Sequence, residues 1–207
     1  MNERRFAIDW VTVRAGRLAL DHRPRLRRIP HLPAEGCDRV VTLLSEREGA
    51  REIGERVEAA GMQWTWLAFP GGRPPEGRLD LAACDVVATL ATRLGEGESI
   101  LIHCSAGMHR TGMIAYALLR GCGLDGVETL SAIGDLRRHT LDGLDPQLVA
   151  WAERAAADCE RAAAGCARPA ADREGAGRGF GRAAADGEPH ANGGAIASLV
   201  DAGGVPE

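Results

Sequence analysis

The 207-residue sequence contains no lysine: all 25 basic residues are arginines, against 29 acidic residues, and the formal net charge is −4. A chain of this charge has no overall electrostatic attraction to nucleic acid or to an anionic membrane. Aromatic residues are scarce at 4%, but the 45% hydrophobic content is ordinary for a globular protein. The composition therefore indicates a soluble globular domain that does not depend on a nucleic-acid or lipid partner.

Long apolar runs are also absent. No run approaches the ~18 residues of a membrane span, and the opening stretch MNERRFAIDWVTVRAG lacks the apolar core and cleavage site of a signal peptide. The six cysteines include no CxxC pair, and no close Cys/His pair has the spacing of zinc ligands. We therefore expect free thiols in a reducing, cytoplasmic compartment, with no metal or other cofactor.

Two parts of the chain differ in character. Over residues 1–158, strand-like segments (39–44, 63–69 and 99–103) alternate with helix-like segments (48–60, 80–94, 113–120, 125–138 and 146–157). This alternation predicts one α/β domain with a central, mostly parallel sheet flanked by helices. Residues 159–207 are dominated by Ala, Gly, Arg and Asp, which predicts a low-complexity, disordered tail.

The stretch HCSAGMHRTG, residues 103–112, joins the strand predicted at 99–103 to an apolar helix. Ligands of open α/β sheets collect at such places, where the carboxyl end of a strand leads into a helix. Ser105, Ala106 and Gly107 keep the loop narrow, so successive backbone N–H groups can converge on a phosphate-sized anion. Arg110 can then bind two oxygens of that anion bidentately.

Cys104 is placed at the base of the same loop. Converging N–H groups, a helix N-terminus and an arginine all favour the thiolate, so we expect a nucleophile that is ionised near neutral pH. The Cys-x5-Arg spacing alone is not specific, because the composition gives roughly 0.7 such pairs by chance. The interpretation depends instead on the buried strand before the loop and the apolar helix after it.

This stretch resembles the signature HC-x2-G-x2-R-[ST]-G of the cysteine-dependent protein tyrosine and dual-specificity phosphatases. The chain looks like a compact, bacterial-type member over about residues 10–157. The resemblance implies that Cys104 forms a phosphocysteine, that Arg110 holds the phosphate oxygens, and that His103 orients the loop. Thr111 would donate to the sulfur and ease breakdown of the intermediate, or simply cap the helix. Phosphate would be bound by the loop residues Ser105, Ala106, Gly107, Met108, His109 and Arg110.

The family's proton-donating aspartate is missing. It normally lies on a loop before the helix that precedes the signature strand, and here that region reads FPGGRPPEGRLD with Pro70 at the acidic position. Glu76 is the first candidate for the general acid, because it stays on this loop; Asp80, Asp85 and Asp142 are alternatives. Gln147 is a candidate for the water-positioning glutamine of some relatives. An enzyme without the acid should prefer aryl phosphates, whose leaving groups need less help.

The resulting expectation is a monomeric phosphomonoester hydrolase acting on phosphorylated protein or peptide, with phosphotyrosine as the first substrate and dual specificity left open. One alternative is a phosphate-binding module without turnover, suggested by the missing aspartate. Another is a phosphatase for phosphoinositides or nucleic-acid 5′-phosphates, although the loop rim carries only His109 as a basic side chain. The arginine-rich stretch 23–31, RPRLRRIPH, is either a docking segment for acidic partners or a solvated connector.

Overall fold

The computed structural model describes residues 8–166. Its strands are β1 (Val11–Val13), β2 (Gly16–Asp21), β3 (Arg39–Thr42), β4 (Gln63–Trp66) and β5 (Ser99–His103). Its helices are α1 (Ala50–Ala59), α2 (Gly77–Gly95), α3 (His109–Gly121), α4 (Gly126–Leu136), α5 (Arg138–Asp142) and α6 (Pro146–Cys166). Short 3-10 helices lie at Leu26–His31, Pro33–Glu35 and Glu46–Glu48.

The strands form one sheet in the order β1-β2-β5-β3-β4, in which only the β1–β2 pair is antiparallel. The predicted α/β class, with a mostly parallel sheet flanked by helices, is therefore confirmed. Every residue of the central strand β5 is buried. In register, its last residue His103 lies beside Asp21 of β2 and Thr42 of β3, so three strand ends meet where the candidate loop begins.

Helix α3 packs against α2, α4 and α6. All of its residues from 110 to 119 are buried, which explains why this segment is apolar on nearly every side. A polar link joins α2 to α6, since Asp80 Oδ1 accepts hydrogen bonds from Trp151 Nε1 at 2.6 Å and from Arg154 Nη2 at 3.1 Å. Among the helices of the described residues, none is long and apolar enough to cross a membrane.

The structure differs from the sequence-based expectation at several boundaries. The hairpin β1–β2 was not expected, because its turn has no Asn-Gly or Asp-Gly signature and instead places Arg14 at a φ of +55°. The helix expected over 125–138 is interrupted at Arg137, whose extended backbone separates α4 from α5. Helix α6 continues to Cys166, past its expected end at 157. The rest of the predicted disordered tail lies outside the described residues.

Gly16, the first residue of β2, has no room for a side chain. An added Cβ would overlap the Glu98 carbonyl oxygen and would lie 2.9 Å from the Leu94 carbonyl oxygen. Because both obstacles are backbone atoms, we expect Gly16→Ala to lower the free energy of unfolding by about 1–3 kcal/mol, measured by urea denaturation. Gly71→Ala, which meets nothing within 4 Å, is the control. Equal stability of the two variants would contradict the prediction.

Candidate active site

The loop between β5 and α3 can turn only because of Gly107. Its φ is +70°, in the left-handed region, and an added Cβ would overlap the Asp21 carbonyl and the Arg137 guanidinium. The end of β2 and the start of the α4–α5 connection therefore approach the loop backbone directly. Any larger residue here would push the loop away from both.

The backbone carbonyl groups of this loop accept hydrogen bonds from residues on its outer side. The Arg23 backbone N–H donates to the Ser105 carbonyl at 3.1 Å. Arg137 Nη1 donates to the carbonyl oxygens of Ala106 and Gly107 at 2.9 and 2.8 Å, and the Thr140 hydroxyl donates to that of Gly107 at 2.5 Å. With its carbonyls held outward, the loop turns N–H groups inward. This arrangement is what an anion site made of backbone requires.

Cys104 lies at the base of this loop and is only 3% exposed. Burial acts to raise the pKa of its thiol, but hydrogen bonds from the Thr111 hydroxyl and from the backbone N–H groups of Thr111, Gly107 and Met108 outweigh it, so the pKa is lowered. The Gly107 N–H lies 3.2 Å from the sulfur. The thiolate expected from the sequence thus has a physical basis in the loop.

A cavity of about 190 Å³ opens above the sulfur. It brings together most of the phosphate-binding residues expected from the sequence, and it is lined by Gly72, Cys104, Ser105, Ala106, Met108, His109 and Arg110. Thr111 is fully buried, and apart from its interaction with the Cys104 thiol its hydroxyl has no hydrogen-bond partner within the described residues. A buried hydroxyl in this position is available to the sulfur or to a bound anion.

Arg110 is held by a residue that the sequence analysis missed. Glu48 binds it bidentately, Oε2 to Nη1 and Oε1 to Nη2, both at 2.8 Å, and the Phe69 carbonyl accepts from Nη1 at 3.2 Å. Of the five guanidinium N–H groups, these contacts leave Nε–H and one Nη2–H. Those two adjacent donors form the edge of the guanidinium that can bind two oxygens of a phosphate.

Glu48 is itself fixed by a capping box that follows β3. Its Oε2 accepts from the backbone N–H and from the hydroxyl of Ser45, both at 2.9 Å. The hydrogen bond from Arg110 is the main reason that the pKa of Glu48 falls to about 2. The Ser-x-x-Glu pattern could have indicated the capping box from sequence, but not that its carboxylate meets Arg110.

His103 is fully buried at the end of β5, and burial lowers its pKa to about 4, so its ring is neutral. The Cys104 carbonyl lies 3.3 Å from His103 Nδ1 and can only accept, which assigns the proton of the neutral ring to Nδ1. His103 Nε2 then accepts from the Thr42 hydroxyl at 2.9 Å, and Thr42 Oγ1 accepts from Trp64 Nε1, also at 2.9 Å. The expected orienting role of His103 thus corresponds to a chain of three hydrogen bonds.

Other expected site residues are not brought to the cavity. Glu76 is exposed just before α2, and it forms no hydrogen bond or ion pair with the described residues. Gln147 is exposed and donates only its backbone N–H, to Asp145. Asp80 is engaged by Trp151 and Arg154, as described above, and the exposed Asp142 pairs with Arg138 at 3.1 Å. Within residues 8–166, no group of three His, Cys, Asp or Glu side chains is placed to hold a metal ion.

Comparisons with known proteins agree with this geometry. Residues 75–130 match the model of the tyrosine phosphatase family. Among solved structures, the fold is similar to PTPMT1 at 19% identity and a TM-score of 0.60, covering 75% of this chain and 99% of that one. It is also similar to the kinase associated phosphatase, with 16% identity, a TM-score of 0.59 and coverage of 79% and 99%. A search of curated protein sequences gave no match.

A third similar structure is the core catalytic domain of the PP-IP phosphatase SIW14 from S. cerevisiae, with 17% identity, a TM-score of 0.53 and coverage of 77% and 93%. These likenesses establish the fold, and the family match covers the segment that contains the loop. The resemblance seen in the sequence is therefore confirmed for the segment that carries the loop, which matches the tyrosine phosphatase family, and the fold is similar to those of PTPMT1 and the kinase associated phosphatase.

The Glu48–Arg110 ion pair leads to a prediction for catalysis. In Glu48→Gln the buried guanidinium loses its bidentate carboxylate and is no longer fixed in one orientation. We expect kcat/KM for para-nitrophenyl phosphate to fall by about 10²-fold, because small displacements of a positioning group have effects of this size. Glu52→Gln, an exposed carboxylate on α1, is the control. Undiminished activity in Glu48→Gln would show that the ion pair does not position Arg110.

The same pair predicts a pH dependence of stability. A carboxyl whose pKa is lowered in the folded state stabilises the fold above its ordinary pKa of 4.5, and this contribution is lost as the pH falls toward about 2. The difference in unfolding free energy between wild type and Glu48→Gln should therefore be largest at neutral pH and shrink on acidification. Urea denaturation at a series of acidic pH values measures it. A difference that grows on acidification would reverse the assigned sign.

Proposed function

We propose that the protein is a phosphatase that hydrolyses phosphorylated protein, with phosphotyrosine as its first substrate, through a cysteinyl-phosphate intermediate. The observation that carries this proposal is the Cys104 sulfur, whose lowered pKa and surrounding N–H donors lie at the base of a phosphate-sized cavity. A module that only bound phosphate would not need an ionised nucleophile there. A monomer in the cytoplasm, without a nucleic-acid or membrane partner, completes the proposal.

In the first step, the Cys104 thiolate attacks phosphorus, an S–P bond forms, and the bond to the ester oxygen breaks. The inward N–H groups, together with the Nε–H and the second Nη2–H of Arg110, stabilise the charge on the equatorial oxygens. In the second step, water attacks phosphorus and gives a proton to the residue that protonated the leaving oxygen, the S–P bond breaks with its electron pair returning to sulfur, and inorganic phosphate leaves. The Thr111 hydroxyl stabilises the departing thiolate by donating to it.

The leaving oxygen must receive a proton, and two residues are candidates for its source. Glu76 is the candidate from the sequence, since it follows the loop that carries the aspartate in related enzymes. His109 is the candidate from the geometry: among the described residues lining the cavity, it carries the only imidazole, the side chain that most often transfers protons in catalysis. Its ring lies against Gly72 of that same loop.

A second candidate substrate is a phosphorylated inositol compound. PTPMT1 has been solved in complex with PI(5)P, and SIW14 is described as a PP-IP phosphatase. The low sequence identity to both leaves the protein substrate as the principal proposal. Comparing phosphate release from a phosphotyrosine peptide and from PI(5)P separates the two.

The covalent mechanism is tested first with para-nitrophenyl phosphate and no added metal. Cys104→Ser should lower kcat by on the order of 10³-fold or more, because the nucleophile is lost. Wild-type protein quenched in acid during turnover should carry phosphate on Cys104, detectable by mass spectrometry. Cys122→Ser is the matched control, since burial raises the pKa of that thiol. Full turnover by Cys104→Ser would overturn the mechanism.

The proton donor is tested by the dependence on the leaving group. Removing a general acid should lower kcat/KM by about 10²–10⁴-fold for phenyl phosphate and by less for para-nitrophenyl phosphate, whose leaving group is less basic. The variants His109→Gln and Glu76→Gln are compared on both esters. Whichever variant loses the larger factor on phenyl phosphate identifies the donor. If the ratio of the two rates changes in neither variant, neither residue is the acid.

A further inference from the structure

A second, larger cavity lies beside the active site. Its volume is about 780 Å³, against about 190 Å³ for the phosphate cavity, and no residue lines both. It is formed by the segment that follows β2, including the 3-10 helix Leu26–His31. We call it the arginine groove, lined by His22, Pro24, Arg25, Arg27, Arg28, His31 and Glu35.

The arginine groove carries an excess of positive charge. Its one lining carboxylate, Glu35, accepts from Arg28 at 3.3 Å, and Arg28 also binds Asp21 at 3.0 Å. Arg25 and Arg27 are exposed and have no acidic partner within residues 8–166. In a chain with a net charge of −4, this is a local concentration of cations, not a reflection of the composition.

Arg23 connects the arginine groove to the phosphate loop. The Arg23 backbone N–H bonds the Ser105 carbonyl, and the next residue, Pro24, already lines the groove. The Arg23 guanidinium extends toward Gly49, where an added Cβ would lie 2.7 Å from Nη2, and Gly49 adjoins the Glu48 that holds Arg110. Basic groups thus lead from the rim of the active site into the groove.

We propose that the arginine groove binds acidic side chains that flank the phosphorylated residue of a protein substrate. This rests on the proposed function. Arginine suits the task, since its planar guanidinium pairs with carboxylates bidentately. A peptide is favoured over a small polyphosphate because the groove and the phosphate cavity are separate volumes. An extended chain, advancing ~3.3 Å per residue, can occupy both at once.

The test compares phosphotyrosine peptides of equal length with neutral flanks, with acidic residues on the N-terminal side, or with acidic residues on the C-terminal side. For wild type we expect one acidic peptide to have a KM about 3–10-fold lower than the neutral peptide at low salt, with little change in kcat. High salt should reduce this preference. The double variant Arg25→Gln/Arg27→Gln should abolish it while leaving turnover of para-nitrophenyl phosphate and of the neutral peptide unchanged.

The matched control is Arg93→Gln. Arg93 is exposed in the last turn of α2, pairs with Glu96 at 2.7 Å, and precedes the amino end of β5, away from the loop. This variant removes one positive charge, against two in the double variant, and should keep the preference. If the double variant keeps the preference for acidic peptides, or if Arg93→Gln also abolishes it, the arginine groove is not its source.

Two further outcomes also contradict the proposal, and they are distinguishable from failure of the proposed function. If wild type hydrolyses every peptide equally, the phosphatase stands and the acidic-peptide site is wrong. If inositol hexakisphosphate inhibits para-nitrophenyl phosphate turnover in wild type but not in the double variant, while the peptides show no preference, the groove binds polyphosphate instead. Absence of turnover on every substrate would instead refute the proposed function.

Discussion

The outward binding of the loop carbonyls is the constraint on which the site depends. A five-residue turn cannot direct its N–H groups at one point unless its carbonyl groups are satisfied elsewhere, because each buried polar group needs a partner. Arg23, Arg137 and Thr140 supply those partners from two different parts of the chain. The fold therefore binds the loop's outer edge and leaves its inner edge to a ligand.

Arg110 poses a different problem, because a buried guanidinium without a counter-charge is costly. Glu48 supplies the counter-charge. It accepts one N–H from each terminal nitrogen and leaves Nε–H and one Nη2–H for a ligand. A monodentate partner would have left the guanidinium free to rotate. The geometry explains why this carboxylate lies beside the phosphate site without competing for the edge that binds phosphate.

Whether a site residue could be predicted from the sequence depends on which part of the chain its contacts come from. Cys104, Arg110 and Thr111 lie in one stretch, so local chemistry and the flanking strand and helix were enough to find them. Glu48 and Arg137 are common residue types that reach the loop only through the sheet order and the break between α4 and α5. No spacing rule connects residues 62 positions apart. The hairpin β1–β2 was missed for a related reason, since its turn uses Arg14 in place of a glycine signature.

The loop over residues 69–76 shows the reverse case. There, a family pattern pointed to residues that the fold does not bring to the cavity. The sequence favours Glu76 because it shares a loop with Pro70, but sequence position says little about where a side chain at the start of a helix points. Only Gly72 of that loop lines the cavity, and its neighbour there is His109. Two of the three alternative carboxylates, Asp80 and Asp142, are already paired with arginines on α6 and α5, and the third, Asp85, is exposed on α2.

Burial also divides the site into groups whose charge is fixed and groups whose charge can change. His103 is held neutral with its proton on Nδ1, and the Glu48–Arg110 pair is ionised throughout the physiological range. None of these three side chains can therefore contribute a titration step near neutral pH. The pH dependence of catalysis must come from the Cys104 thiol, the proton donor and the substrate phosphate itself. In the proposed mechanism, an interior of fixed charge positions the reactive groups around the cavity, so one narrow loop can both bind a phosphate and react with it.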